Sequence, residues 1–192
     1  MAEVTIKKAK IKDNLYLEVE FSEVVKDGTN EVKKVCTAHI HDDLRLAFRR
    51  LNTHMALLTE QAIETAKKAV PVCYGDDEER QREVQHFKFD DRNLAIAKET
   101  ACSGFTIGGT GDHEGVTLIG RRTLTAARIL NLVSPFLKWT DDIYDYKHLD
   151  DLSEIIEACK GEVKLYLFEG KHAPDNQLKL FEAETQTADE EQ

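Results

Sequence analysis

A stretch of strict alternation governs what this chain can fold into. Leu15, Leu17, Val19 and Phe21 fall on one parity, and Tyr16, Glu18, Glu20 and Ser22 fall on the other. Successive strand side chains point to opposite faces, so residues 15–25 read as a half-buried strand with one apolar and one wet side. Its neighbours in the chain suit it. Residues 3–12 are rich in β-branched residues and lysine and form a first strand. Residues 26–31, Lys-Asp-Gly-Thr-Asn-Glu, carry hairpin-loop chemistry, and residues 32–40 return as a third strand.

The period then changes. Leu44, Ala47, Phe48, Leu51, Met55, Leu58 and Ala62 recur at helical spacing behind Asp42 and Asp43, which suit a helix cap and first turn. This pattern predicts a helix to about Ala69, ended by Pro71. After a charged stretch the pattern repeats. Residues 94–107 and 115–123 read as strands joined by a glycine-rich turn, and residues 128–139 as a third strand. Asp150 and Asp151 open a helix whose apolar face runs through Leu152, Ile156, Cys159, Val163 and Tyr166 to a stop at Gly170 and Pro174. The expectation is an α+β fold of two pseudo-repeated βββα units, with antiparallel sheet covered by two helices. The units span 1–70 and 85–173, joined by a charged linker at 71–84 and followed by a flexible acidic tail at 174–192.

Composition bounds the function classes. Hydrophobic residues make up 41% of the 192, enough for a core, and no stretch approaches the roughly 20 apolar residues of a membrane span. The N-terminal Met-Ala-Glu-Val-Thr-Ile lacks the apolar segment of a signal peptide, so the expected compartment is the cytoplasm. The scattered Cys36, Cys73, Cys102 and Cys159 form no paired motif and read as small buried apolar residues, with Cys73 in a loop. The net charge of −10 argues against a protein that coats duplex DNA by charge alone.

Four motifs invite chemistry. Residues 108–115, Gly-Gly-Thr-Gly-Asp-His-Glu-Gly, lead into a strand and not a helix, so they read as a hairpin turn and not a phosphate loop. His39 and His41, which share one side of a strand end, and Asp42 just after them are the candidates for a divalent metal. Asp42 and Asp43 already have a helix-start role there, so no metal is assigned. Residues 140–151 carry five aspartates without the ligand spacing of a calcium loop, and read as an exposed acidic loop. No catalytic residue and no cofactor is assigned, because no nucleophile lies beside a base in the sequence.

The fourth motif is the set of bases. Lys8, Lys10 and Lys12 face one way on the first strand, Arg45, Arg49 and Arg50 lie on the polar side of the first helix, and Arg121 and Arg122 stand near a turn. Spread over a sheet face, they could track a single nucleic-acid strand, with Tyr16 or Phe105 stacking on bases. The alternative reading is that lysines guard an edge strand and arginines solubilise a helix.

The tail carries the clearest functional signal. Residues 175–192 hold six acids against one base, half of the chain's net charge, behind the apolar pentapeptide Gln177-Leu178-Lys179-Leu180-Phe181. This pentapeptide resembles the motif by which bacterial polymerases and repair factors dock on the sliding clamp, roughly Gln-Leu-Ser/Asp-Leu-Phe. Lys179 departs at the tolerant middle position. The resemblance implies that Gln177 hydrogen-bonds at a pocket edge while Leu178, Leu180 and Phe181 fill apolar pockets. The alternative is that these three pack back on the domain. The acidic end resembles the tails of single-strand-binding proteins but lacks their terminal apolar pair.

These readings converge on a non-enzymatic accessory of DNA replication, recombination or repair, of the kind that bacteriophages and mobile elements carry. Its expected partners are a sliding clamp and single-stranded DNA, with no membrane. The alternative is a phage-encoded small-ligand- or protein-binding inhibitor of a host system.

Overall fold

The alternating segment forms β2 (Tyr16–Val25), paired antiparallel on one side with β1 (Val4–Lys12) and on the other with β3 (Gly28–Val35). We describe the fold from a computed structural model that defines residues 3–59, 99–124, 127–141 and 146–174. Asp13 and Asn14 turn β1 into β2 with φ of 53° and 57°, the left-handed pair that tight hairpins favour. The second turn is tighter than the sequence suggests. Val25 pairs with Gly28, so β3 begins inside the expected loop and ends at Val35, before the expected third strand does.

The first helix is also shorter than its periodicity. α1 (Asp42–Arg49) is capped by Arg50, and α2 (Leu51–Thr59) follows at once. α1 buries a stripe of Leu44, Ala47 and Phe48, whereas α2 buries Leu51 and then every residue from Thr53 to Leu57. The break lies where a half-exposed segment meets an enclosed one. Residues 60–98, which include the expected linker at 71–84, lie outside the described residues.

The second unit contributes β4 (Thr100–Gly108), β5 (Gly115–Thr123), β6 (Ile129–Val133), β7 (Leu137–Lys138) and α3 (Leu149–Phe168). The expected single strand at 128–139 is split in two. β6 and β7 pair with the same edge of β5, and Ser134 bridges the gap: its N–H donates to Leu118 O, and its Oγ accepts from Leu118 N, both at 2.9 Å. Pro135, which has no N–H to give, falls in the interruption. The glycine-rich segment between β4 and β5 is a turn, with Gly109 and Gly111 at φ of 75° and 57°.

The two units build one sheet. Its order is β3-β2-β1-β4-β5-β6, with β7 also on β5, and its centre is the antiparallel pairing of β1 with β4 through Lys8–Thr106, Ala9–Phe105 and Lys10–Gly104. Each unit is thus a meander, and the two meet at their first strands. A Cβ on Gly104 would stand 2.6 Å from the Ala9 carbonyl oxygen, so the close approach at this junction requires glycine.

The helices cover one side of the sheet. Ala9, Leu17, Val19, Phe105, Val116 and Leu118 face that side and are fully buried. Phe48 of α1 stacks on Phe105 of β4 with ring centroids 5.8 Å apart. α3 sends Leu152, Ile155, Ile156, Cys159 and Val163 into the same core. Each large side chain buried so completely contributes roughly 1.5–3 kcal/mol of transfer free energy. Cys36, Cys102 and Cys159 are free and buried, in line with their reading as small apolar residues, and burial pushes the Cys36 and Cys159 thiols up. Among the described residues no helix is long and apolar enough to cross a membrane.

Candidate functional site

Covering one side of the sheet leaves the other bare among the described residues. The register gives this open face its rows. One reads Lys33, Glu20, Lys8, Thr106, Thr117, and the next reads Val35, Glu18, Lys10, Gly104, Ile119, Val133. The face has two halves of different chemistry. Over β3, β2 and β1 it is a charge ladder, in which Glu20 accepts from Lys33 at 2.9 Å and from Lys8 at 3.2 Å. These hydrogen bonds, that from Lys33 first, hold the Glu20 carboxyl below the usual carboxylate range, and Glu20 in turn raises Lys33.

Over β4, β5 and β6 the face carries glycine, threonine and aliphatic residues. Its nearest bases are Lys10 at the boundary and Arg121, which lies opposite Asn131 on β6. No carboxylate from these three strands points to this face. The charge that these three strands bring to the face is therefore that of Arg121.

The structure sorts the sequence-predicted bases into different places. Lys8, Lys10 and Lys12 do share a face, but β1 is central in the sheet and not an edge strand, so edge protection is not their role. Lys8 is engaged by Glu20 and, at 3.7 Å, by Glu18. Arg45, Arg49 and Arg50 belong to the helical layer on the opposite side of the sheet. Arg45 donates to Asn14 O at 3.0 Å and pairs with Asp42. Arg122 points away from the open face and meets Glu99 at 3.3 Å. The bases therefore do not form one patch. Phe105 is no stacking platform either, since it is wholly buried against Phe48. Tyr16 remains on the open face, edge-on to His39 at a centroid distance of 5.1 Å.

The histidine candidates separate as well. His41 is the α1 cap, its Nδ1 accepting from Asp43 N at 3.2 Å, so the capping residue is the histidine and the two aspartates occupy the first turn. His39 lies off that site, with Nε2 at 3.3 Å from the Tyr16 hydroxyl. Asp42 pairs with Arg45, and Asp43 takes a 2.7 Å ion pair from Lys171. The hydrogen bond from Lys171 holds the Asp43 carboxyl low, and Asp43 and Glu162 together raise Lys171. His39, His41 and Asp42 thus do not converge, and among the described residues no three His, Cys, Asp or Glu side chains do.

Sequence reasoning missed one polar cluster. His54 of α2 is 1% exposed and lies between the Tyr146 hydroxyl and the Asp151 carboxylate of α3. Its only signal in the sequence was a histidine on the core-facing stripe, one turn after Leu51. The acidic segment at 140–151 is accordingly not all solvated loop: Asp151 is a buried histidine's partner, and Asp141 accepts from Lys138 N at 3.0 Å. Gln177, Leu178, Leu180 and Phe181 lie outside the described residues, as does Cys73.

No protein-family model, no curated protein and no solved structure matches this chain.

Proposed function

We propose that this chain is a non-enzymatic accessory of DNA replication, recombination or repair. In this reading the open sheet face receives a single nucleic-acid strand, and the segment Gln177–Phe181 docks on a sliding clamp. The observation that carries the first half is the sheet face that the described residues leave uncovered. Among the described residues the helices lie on one side of the sheet and leave a broad surface on the other; its β4–β6 half offers threonine hydroxyls, aliphatic side chains and Arg121 with no carboxylate from those strands, and Lys10 lies at its boundary, opposite Glu18 of β2. Such a surface can take a strand's phosphates on its cations and lay bases on its flat apolar centre. The overall negative charge then disfavours indiscriminate duplex binding.

The second half rests on the pentapeptide, whose apolar anchors follow an alternating pattern next to a run of acids. The two halves separate in one experiment. Fluorescence anisotropy with a labelled single-stranded oligonucleotide and a pull-down on a sliding clamp are run with the full chain and with a chain lacking 177–181. The deletion is expected to remove clamp capture and leave oligonucleotide binding. Oligonucleotide binding absent from both chains refutes the sheet-face half, and clamp capture that survives the deletion refutes the tail half.

A further inference from the structure

The two edges of the sheet are built differently. β3, at one end, carries Glu31, Lys33 and Lys34, charges that discourage pairing with another chain. β6, at the other end, reads Ile129-Leu130-Asn131-Leu132-Val133 and carries none. No described strand pairs with its outer edge, and Ile129, Leu130 and Val133 are 59%, 45% and 64% exposed. We propose that β6 is a self-association edge, at which two copies of this chain pair their β6 strands antiparallel about a two-fold axis through Asn131.

Three observations select a second copy as the occupant. A two-fold interface must be self-complementary. The β6 sequence is a near palindrome about Asn131: Leu130 meets Leu132 of the second copy, and Ile129 meets Val133, β-branched against β-branched. The backbone parity agrees. Ser134 N donates to Leu118 O and Leu124 N donates to Arg128 O, so the even-numbered residues 128–134 aim their backbone groups at β5. Alternation turns the N–H and C=O of Ile129, Asn131 and Val133 outward. A dyad at Asn131 needs this parity, and in that register every outward group of the three finds a partner. Charge also agrees, because the pairing sets no charged residue opposite another.

The pairing would extend the sheet through two molecules and make their open faces continuous. Asn131 at the dyad sets the register: a one-residue slip breaks the match of backbone groups, and a two-residue slip sets its amide beside Ile129 or Val133. One five-residue edge buries less than the roughly 1,200 Å² of a permanent interface, so the dimer forms as concentration rises. The proposal is independent of nucleic-acid binding.

Sedimentation velocity over a dilution series of the full chain tests it. The wild type is expected to pass from monomer to dimer, and Asn131→Pro to stay monomeric with an unchanged circular dichroism spectrum. Proline there removes an outward N–H and no bond to β5. Cysteine substitution reads the register without relying on that variant. Directly paired residues have Cα atoms about 5.5 Å apart, within disulfide reach. In a Cys73→Ser background with an added oxidant, Asn131→Cys is expected to cross-link to dimer and Ile129→Cys to remain monomer. A wild type that stays monomeric throughout overturns the proposal. So does equal cross-linking at both positions. A dimer lost on deleting 177–181 overturns it too, and assigns the edge to the tail.

Discussion

His54 and Tyr146 are 92 residues apart in the chain, and the Tyr146 hydroxyl meets His54 Nδ1 at 2.6 Å inside the core. On its other side His54 Nε2 is 3.1 Å from Asp151 Oδ2. An ionised carboxylate only accepts, so Nε2 carries a proton toward Asp151, and in the neutral imidazole Nδ1 then accepts from the tyrosine. The three side chains form a polar bolt that joins α2 to the start of α3 beneath the sheet. Tyr146→Phe removes one donor and leaves Nδ1 unpaired in a buried site. It is expected to lower stability by about 1–3 kcal/mol, read from urea midpoints with an unchanged slope.

The same bolt makes stability depend on acid. The hydrogen bond from His54 holds the Asp151 carboxyl below the usual range, outweighing the opposing effect of burial. A carboxyl with a depressed folded-state pKa contributes stability in full above its unfolded value, and loses it as pH falls through the folded value. Wild type and Asp151→Asn should therefore differ most above about pH 4, with the gap closing at lower pH. A gap of constant size across that range removes Asp151 as the cause.

Ser134 holds the β6–β7 interruption together through Leu118. Replacing it with alanine leaves the Leu118 N–H without its acceptor in a buried position. A loss of about 1–3 kcal/mol is expected. Hydrogen exchange at the Leu118 amide should accelerate more than exchange at β1, which locates the loss.

Phe48 and Phe105 tie α1 to the centre of the sheet. Phe48→Ala should cost about 3–5 kcal/mol, through lost transfer free energy and the cavity left against Phe105. Thermal unfolding checks it. A cost below about 1 kcal/mol would mean that the site collapses around the smaller side chain.

If the open face binds a single strand, its affinity depends on salt through the phosphates it neutralises. Each cation engaged contributes about −0.7 to the slope of log K against log salt. Lys10→Gln and Arg121→Gln should each flatten the slope by about that amount. Arg49→Gln, on the helical side, should leave it unchanged. Equal effects from all three would place the strand elsewhere.

Local periodicity was enough to give the order of strands and helices and the buried faces of β2, α1 and α3, though not the break at Arg50 or the split between β6 and β7. The alternation from Leu15 to Phe21, the helical spacing behind Asp42 and the repeat of three strands and a helix depend only on neighbours along the chain, because side-chain periodicity is a local property. What lies far apart in the chain was decided by the tertiary structure. The junction of β1 with β4 turned two meanders into one sheet and placed Lys8, Lys10 and Lys12 in its middle. It also put Arg45, Arg49 and Arg50 on the opposite side, where a linear reading had grouped all six. The partners of His54 emerged the same way. A pattern of apolar and polar positions tells each residue which way to face, but pairing across many residues depends on loop closure and packing that no local window contains.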